Sequence, residues 1–169
     1  MFTFFLFIIY SSFFHNKQLS AHTLQLDETE KICHLMITNN LDYQYLEIPN
    51  PYDKGNNLKL HIYSKKNTVN SVDIINSSPF ITSNVSLYIK LEAFDPSLSF
   101  LEYEISEYIN DYLRIQILDY LYTSSTKFDN DINNFRFCFN KLQLAKLNWN
   151  EFYPKSIFNL NLDCDISCL

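Results

Sequence analysis

Phe158-Asn159-Leu160-Asn161-Leu162-Asp163-Cys164-Asp165-Ile166-Ser167-Cys168 alternates apolar and polar residues without a break. Successive side chains of an extended chain point to opposite sides of the pleat, so this pattern specifies a strand with one buried face and one wet face. Phe158, Leu160, Leu162, Cys164, Ile166 and Cys168 fall on the apolar side. The same period recurs upstream. Val85, Leu87, Ile89, Leu91 and Ala93 alternate with Ser86, Tyr88, Lys90 and Glu92, and Leu58, Leu60 and Ile62 alternate with Lys59 and His61. A shorter example is Phe135, Phe137 and Phe139 around Arg136 and Cys138.

Clusters rich in Asn, Asp, Ser and Pro separate these runs, at Asn50-Pro51-Tyr52-Asp53, Ser77-Ser78-Pro79 and Asp95-Pro96-Ser97. Such residues make turns by local hydrogen bonding or by a fixed φ. Several turn-bounded strands, each with one apolar face, predict a mainly β fold, an antiparallel β-sandwich. The exception is Glu104 to Tyr122. There Ile105, Ile109, Tyr112, Leu113, Ile117, Tyr120 and Leu121 recur at helical spacing, opposite Glu107, Asn110, Asp111 and Arg114. One helix around 105–122 is favoured over its alternative, a strand pair broken at Asn110-Asp111. Asp129 to Asn134 reads as a polar loop, and Lys141 to Trp149 as a short helix-like stretch.

The N-terminal run Met1 to Phe14 is apolar and uncharged, and Leu19-Ser20-Ala21 supplies small residues at a cleavage position. This arrangement predicts a signal peptide over 1–21 and a single extracellular β-sandwich domain over 22–169, with truncation at its C-terminus left open. The chain is 47% hydrophobic and 17% aromatic, which excludes low-hydrophobicity disorder, and its net charge of -6 argues against nucleic-acid binding. In an oxidising compartment Cys33, Cys138, Cys164 and Cys168 are disulfide candidates. Cys164 and Cys168, four residues apart on one extended strand, would lie about 13 Å apart, too far to bridge each other. Pairing with Cys33 and Cys138, a local bridge across a turn, and partners in a continuation of the chain all remain open. Asn76-Ser77-Ser78 and Asn84-Val85-Ser86 are sequons, making Asn76 and Asn84 glycosylation candidates if the chain is secreted.

Catalytic signatures are weak. A single glycine, Gly55, leaves no P-loop, dinucleotide fingerprint or nucleophile elbow. His15, His22, His34 and His61 stand in no nucleophilic arrangement, and Glu102 and Glu104 read as a solvated face. Asp129-Asn130-Asp131 opens like a calcium loop, but Asn134 and Asn140 occupy the positions of its glycine and its bidentate Glu. A zinc site at Cys33-His34 with Cys164 and Cys168 lacks the usual paired spacing. The expectation is a non-enzymatic binding module with no cofactor and no metal. Its Tyr and Phe are abundant enough to build a binding face, although a core of this size also consumes many of them.

Asp73 to Phe80, carrying Pro79-Phe80, followed by Ser86 to Asp95, carrying Glu92-Ala93, resembles the N-terminal domain of Notch ligands of the Delta/Serrate/Jagged family. Lys141-Leu142 to Trp149, the last strand and Cys164-x3-Cys168 extend the likeness. The early cysteine cluster of that family is reduced to Cys33, and the Tyr-Tyr-Gly segment that opens its DSL module is missing. The resemblance implies a C2-like β-sandwich in a secreted protein or ectodomain, with receptor binding as its function and membrane-surface contact at its loop ends. The alternatives are an unrelated secreted adhesion or host-interaction protein and a secreted hydrolase.

Overall fold

The computed structural model describes residues 26–76, 78–92, 102–127, 131–138 and 148–168. The expected signal peptide over 1–21, His15, His22, Ala93, the Asp95-Pro96-Ser97 turn, Phe139 and the stretch 141–147 lie outside the described residues, as does the side chain of Cys168.

The chain opens with helix α1 (Glu28–Ile37), then runs through β1 (Tyr43–Pro49), β2 (Asn57–Ile75) and β3 (Ser78–Glu92). Helix α2 (Glu102–Lys127) follows, then a 3-10 turn at Phe135–Cys138, one α-helical turn at Trp149–Phe152 with a 3-10 turn at Tyr153–Lys155, and β4 (Ile157–Cys168). The strands form one sheet in the order β1-β2-β3-β4. β1 with β2 and β2 with β3 are antiparallel, whereas β3 and β4 are parallel. Two parallel neighbours cannot be joined by a tight hairpin, and the connection between β3 and β4 contains α2.

Nothing in the alternation pattern announces α1. Its signal is a capping box: Asp27 Oδ1 accepts from the Glu30 amide at 2.8 Å and Glu30 Oε2 from the Asp27 amide at 3.0 Å. The helix buries Ile32, Cys33, Met36 and Ile37. Helix α2 has the predicted amphipathic face and buries Ile105, Ile109, Leu113, Ile117, Tyr120 and Leu121. These residues share one core with Leu58, Leu60 and Ile62 of β2, with Ile81, Val85, Leu87, Ile89 and Leu91 of β3, and with Phe158 and Leu160 of β4.

The architecture is therefore mixed α/β, a four-stranded mixed sheet with helices, and the expected antiparallel β-sandwich is corrected. Alternation demands that one face be covered without saying by what, and here helices α1 and α2 stand where a second sheet was expected. The short Phe135-Phe137 alternation is corrected too. Phe135 is buried but Phe137 is 83% exposed, and the segment winds into a 3-10 turn. Asn134, at φ 56, precedes that turn, and Asp131 Oδ2 accepts from the Arg136 amide at 2.6 Å. Asn tolerates this left-handed backbone because its short polar side chain bonds locally.

Candidate functional site

The face of the sheet opposite the helices is the more unusual surface. In register across β1, β2 and β3 stand Tyr43, Tyr63 and Tyr88, and one pleat repeat further stand Tyr45, His61 and Lys90. Neighbouring rings touch: Tyr43 and Tyr63 have centroids 5.2 Å apart, Tyr63 and Tyr88 6.3 Å, and Tyr43 stacks on His61 at 5.9 Å with planes 20° apart. Tyr45 meets His61 edge-on at 5.5 Å. Tyr43 is 46% exposed and Tyr45 41%.

Charges fringe this aromatic patch. Tyr45 Oη donates to Glu47 Oε1 at 2.6 Å, which pushes the phenol up to about 12 and holds the carboxylate below its usual range. Tyr43 Oη lies 2.8 Å from His61 Nδ1, and His61 Nε2 lies 3.3 Å from Glu92 Oε2. Lys90 Nζ sits 5.9 Å from the centre of the Tyr88 ring, and Lys65 pairs with Asp163 at 3.7 Å and Asp165 at 3.5 Å. A Tyr-His-Glu chain can pass a proton, but this one lies on an open sheet face, and neither cleft described below includes it. Its chemistry suits recognition: flat aromatic surface with donors and acceptors locked at the edges.

Two clefts flank the sheet. One, of about 330 Å3, is lined by Asn84, Ser86, Arg114, Leu160 and Asp163, among others. The other, of about 300 Å3, lies where α1 ends and is lined by His34, Asn39, Thr68, Asn70, Asn133 and Cys138, among others. Behind it runs a buried polar network. Asn133 Nδ2 donates to Ser124 Oγ at 3.2 Å and to Tyr153 Oη at 3.5 Å, so its Oδ1 is the acceptor for Tyr120 Oη at 2.7 Å. His34 Nδ1 lies 2.8 Å from Tyr120 Oη and 3.3 Å from Asn133 Oδ1. The one Tyr120 proton is already given to Asn133, so the bonding pattern assigns the His34 proton to Nδ1 and leaves Nε2 as an acceptor. Burial lowers the His34 pKa, partly offset by Asn133, and raises that of Tyr120.

Cys33, buried in the core, Cys138, exposed, and Cys164, half-buried in β4, are free thiols, so no bridge joins any two of these three, and the side chain of Cys168 lies outside the described residues. Each sits on a separate element, and burial pushes the Cys33 and Cys164 thiols up to about 12, away from thiolate chemistry. Asn76 is exposed in the β2–β3 turn at φ 50. Asn84 is also exposed, but its Nδ2 donates to the Val69 carbonyl at 3.2 Å and its Oδ1 accepts from Asn161 at 2.9 Å. No group of three His, Cys, Asp or Glu that could hold a metal occurs among the described residues. The tyrosine patch was legible only as an abundance of aromatics, because its assembly depends on the β1–β2–β3 register.

The family described as Spore germination B3/GerAC like, C-terminal, matches residues 12–168. The fold is similar to the crystal structure of the GerBC protein, with a TM-score of 0.60 at 16% identity over 83% of this chain and 46% of that one. The chain thus spans less than half the length of that protein, and likeness at this identity shows the fold alone. No curated protein matches the chain. The family match overturns both the likeness to Notch ligands and the alternative of an unrelated secreted adhesion protein. Pro79-Phe80 and Glu92, which carried that likeness, lie in the single strand β3, whose alternation any half-buried strand shares. With 157 of its 169 residues inside the match, the chain belongs to the spore germination B3/GerAC-like C-terminal family.

Proposed function

We propose that this chain is a non-catalytic binding module of a spore germination receptor assembly, and that it holds a protein partner against the open face of its sheet. The family supplies the germination context. The tyrosine patch supplies the surface, and the single observation that carries the reading is the ladder on the side away from the helices, with Tyr43 exposed and Tyr63 and Tyr88 half-buried beside it. Tyrosines concentrate binding energy at interfaces because each buries a large rigid area at low entropic cost and keeps a polar end for a hydrogen bond. Glu47, Glu92 and Lys90 form the polar rim that fixes orientation.

The partner is a protein with an apolar surface edged by hydrogen-bonding groups, and the binding takes place at a membrane surface. No helix among the described residues is long and apolar enough to cross a membrane. The apolar run at residues 1–14 is the segment proposed to direct the chain there.

The reading is tested in spores that lack the chain and are complemented with variants. A Tyr43→Ser/Tyr45→Ser double variant, present at wild-type level by immunoblot, is expected to slow germination by about tenfold or more, since truncating a hot-spot tyrosine costs about 2 kcal/mol or more and about 1.4 kcal/mol is tenfold. Tyr103→Ser, at an exposed position of α2, is expected to leave the rate unchanged. Normal germination in the double variant contradicts the proposal.

A further inference from the structure

His61 stands in the middle of the tyrosine face, with Tyr45 beside it in register on β1 and Lys90 on β3. Both of its ring nitrogens are engaged: Nε2 lies 3.3 Å from Glu92 Oε2 and Nδ1 lies 2.8 Å from Tyr43 Oη. An ionised carboxylate only accepts, so Glu92 assigns the single proton of a neutral imidazole to Nε2. Nδ1 is then a lone pair, and the Tyr43 hydroxyl is the donor to it. Tyr43, 46% exposed, therefore points its proton at the ring and turns only oxygen lone pairs outward. Tyr45 does the same one pleat repeat further along β1, because its hydroxyl donates to Glu47 Oε1 at 2.6 Å. The phenol oxygens of Tyr43 and Tyr45 and the Glu47 carboxylate thus form a row of acceptors along β1, an edge strand of the sheet.

A second proton on His61 inverts one member of that row. Both ring nitrogens then donate, Nε2 to Glu92 and Nδ1 to Tyr43 Oη, so the Tyr43 hydroxyl accepts from the ring and swings its own proton outward. An exposed acceptor becomes an exposed donor, and the face gains a positive charge. The titratable and charged groups facing His61 are Tyr43, Tyr45 and Glu47 from β1, Lys59 and Tyr63 on β2 itself, and Tyr88, Lys90 and Glu92 from β3. Imidazole is the side chain of this set whose ordinary titration falls between pH 5 and 8.

We propose that the tyrosine face receives a positively charged, N–H-donating side chain of the protein partner while His61 is neutral, and releases it when His61 takes up a proton; this rests on the docking face proposed above. The row of Tyr43, Tyr45 and Glu47 matches the several donors of one guanidinium or ammonium group, and the neighbouring ring faces attract a cation. Lys59 on β2 and Lys90 on β3 confine that cation to the β1 side of the patch. The net charge of -6 favours a basic partner in the same sense. After protonation the outward Tyr43 proton and the imidazolium charge confront the donors that the neutral face accepted from.

The test uses the full chain in membranes prepared from spores, with a benzophenone amino acid at position 45, which leaves Tyr43, His61 and Glu92 in place. The yield of photocrosslinked protein adduct is expected to fall about fivefold or more between pH 7.5 and pH 5.5. His61→Gln, polar but unable to take up the proton, is expected to hold the yield within about twofold over the same range. Tyr43→Phe, which lacks the hydroxyl that inverts, is expected to show a smaller fall than the wild type. In the isolated, isotopically labelled chain at pH 7.5, the His61 nitrogen shifts are expected to place the proton on Nε2. A proton on Nδ1, an adduct yield equal or higher at pH 5.5, or a fall that persists in full in both variants overturns the switch and leaves docking on this face standing. No adduct at either pH removes the docking face and the switch with it.

Discussion

His34 sits among partners that favour its neutral form. Burial disfavours the imidazolium more than the Asn133 carbonyl favours it, so the folded pKa lies below the ordinary 6.5. As pH falls through that ordinary value the unfolded chain takes up a proton that the folded chain still refuses, and the balance moves toward unfolding. The His34 contribution to stability is thus complete above the unfolded value and is lost on acidification toward the folded one. Urea midpoints at pH 7 and pH 5 are expected to fall more for the wild type than for His34→Gln. Equal falls would show that His34 does not titrate differently on folding. In the sequence His34 was only a histidine after a cysteine, because its partners Tyr120 and Asn133 are 86 and 99 residues away and no local pattern records such contacts. Asn70 was equally silent: its Nδ2 donates to the Ile37 carbonyl at the end of α1, 33 residues upstream.

At the scale of elements, α2 was legible because its apolar residues repeat at helical spacing over many turns. Ile109, Leu113, Ile117 and Leu121 are essentially fully buried, whereas Ile115, on the opposite side, is 62% exposed. Ile117→Ala is expected to destabilise the fold by about 3 kcal/mol, through lost transfer energy and the cavity left behind, and Ile115→Ala by about 0.5 kcal/mol or less. Chemical denaturation of both variants measures the contrast, and equal effects would contradict the placement of α2 on the sheet. Strands β2, β3 and β4 were legible for the same reason in period two. The Phe135 to Phe139 run misled because three alternating residues are too few to outweigh Asn134 and Asp131, whose local bonds bend the chain into a turn. Helix α1 escaped notice because its evidence was a capping pair at Asp27 and Glu30, and not a long periodic stretch.

At the scale of the whole molecule, alternation could establish a buried sheet face but not the layer that covers it. The parallel pairing of β3 with β4 is a long-range property, and it turns the expected sandwich into a mixed sheet backed by helices. Among the described residues no element covers the other face of the sheet, and the register gathers Tyr43, Tyr45, His61, Tyr63 and Tyr88 there. An uncovered aromatic patch rimmed by charge is the kind of surface that marks an interaction site. The central claim is that this face, and not the outer surface of α2, meets the partner. Site-specific photocrosslinking tests it most directly, with a benzophenone amino acid placed at Tyr45 or at Tyr103 of the full chain in germination-competent spores. A discrete protein adduct is expected from position 45 and none from position 103, while an adduct from position 103 with none from position 45 would contradict docking on the tyrosine face.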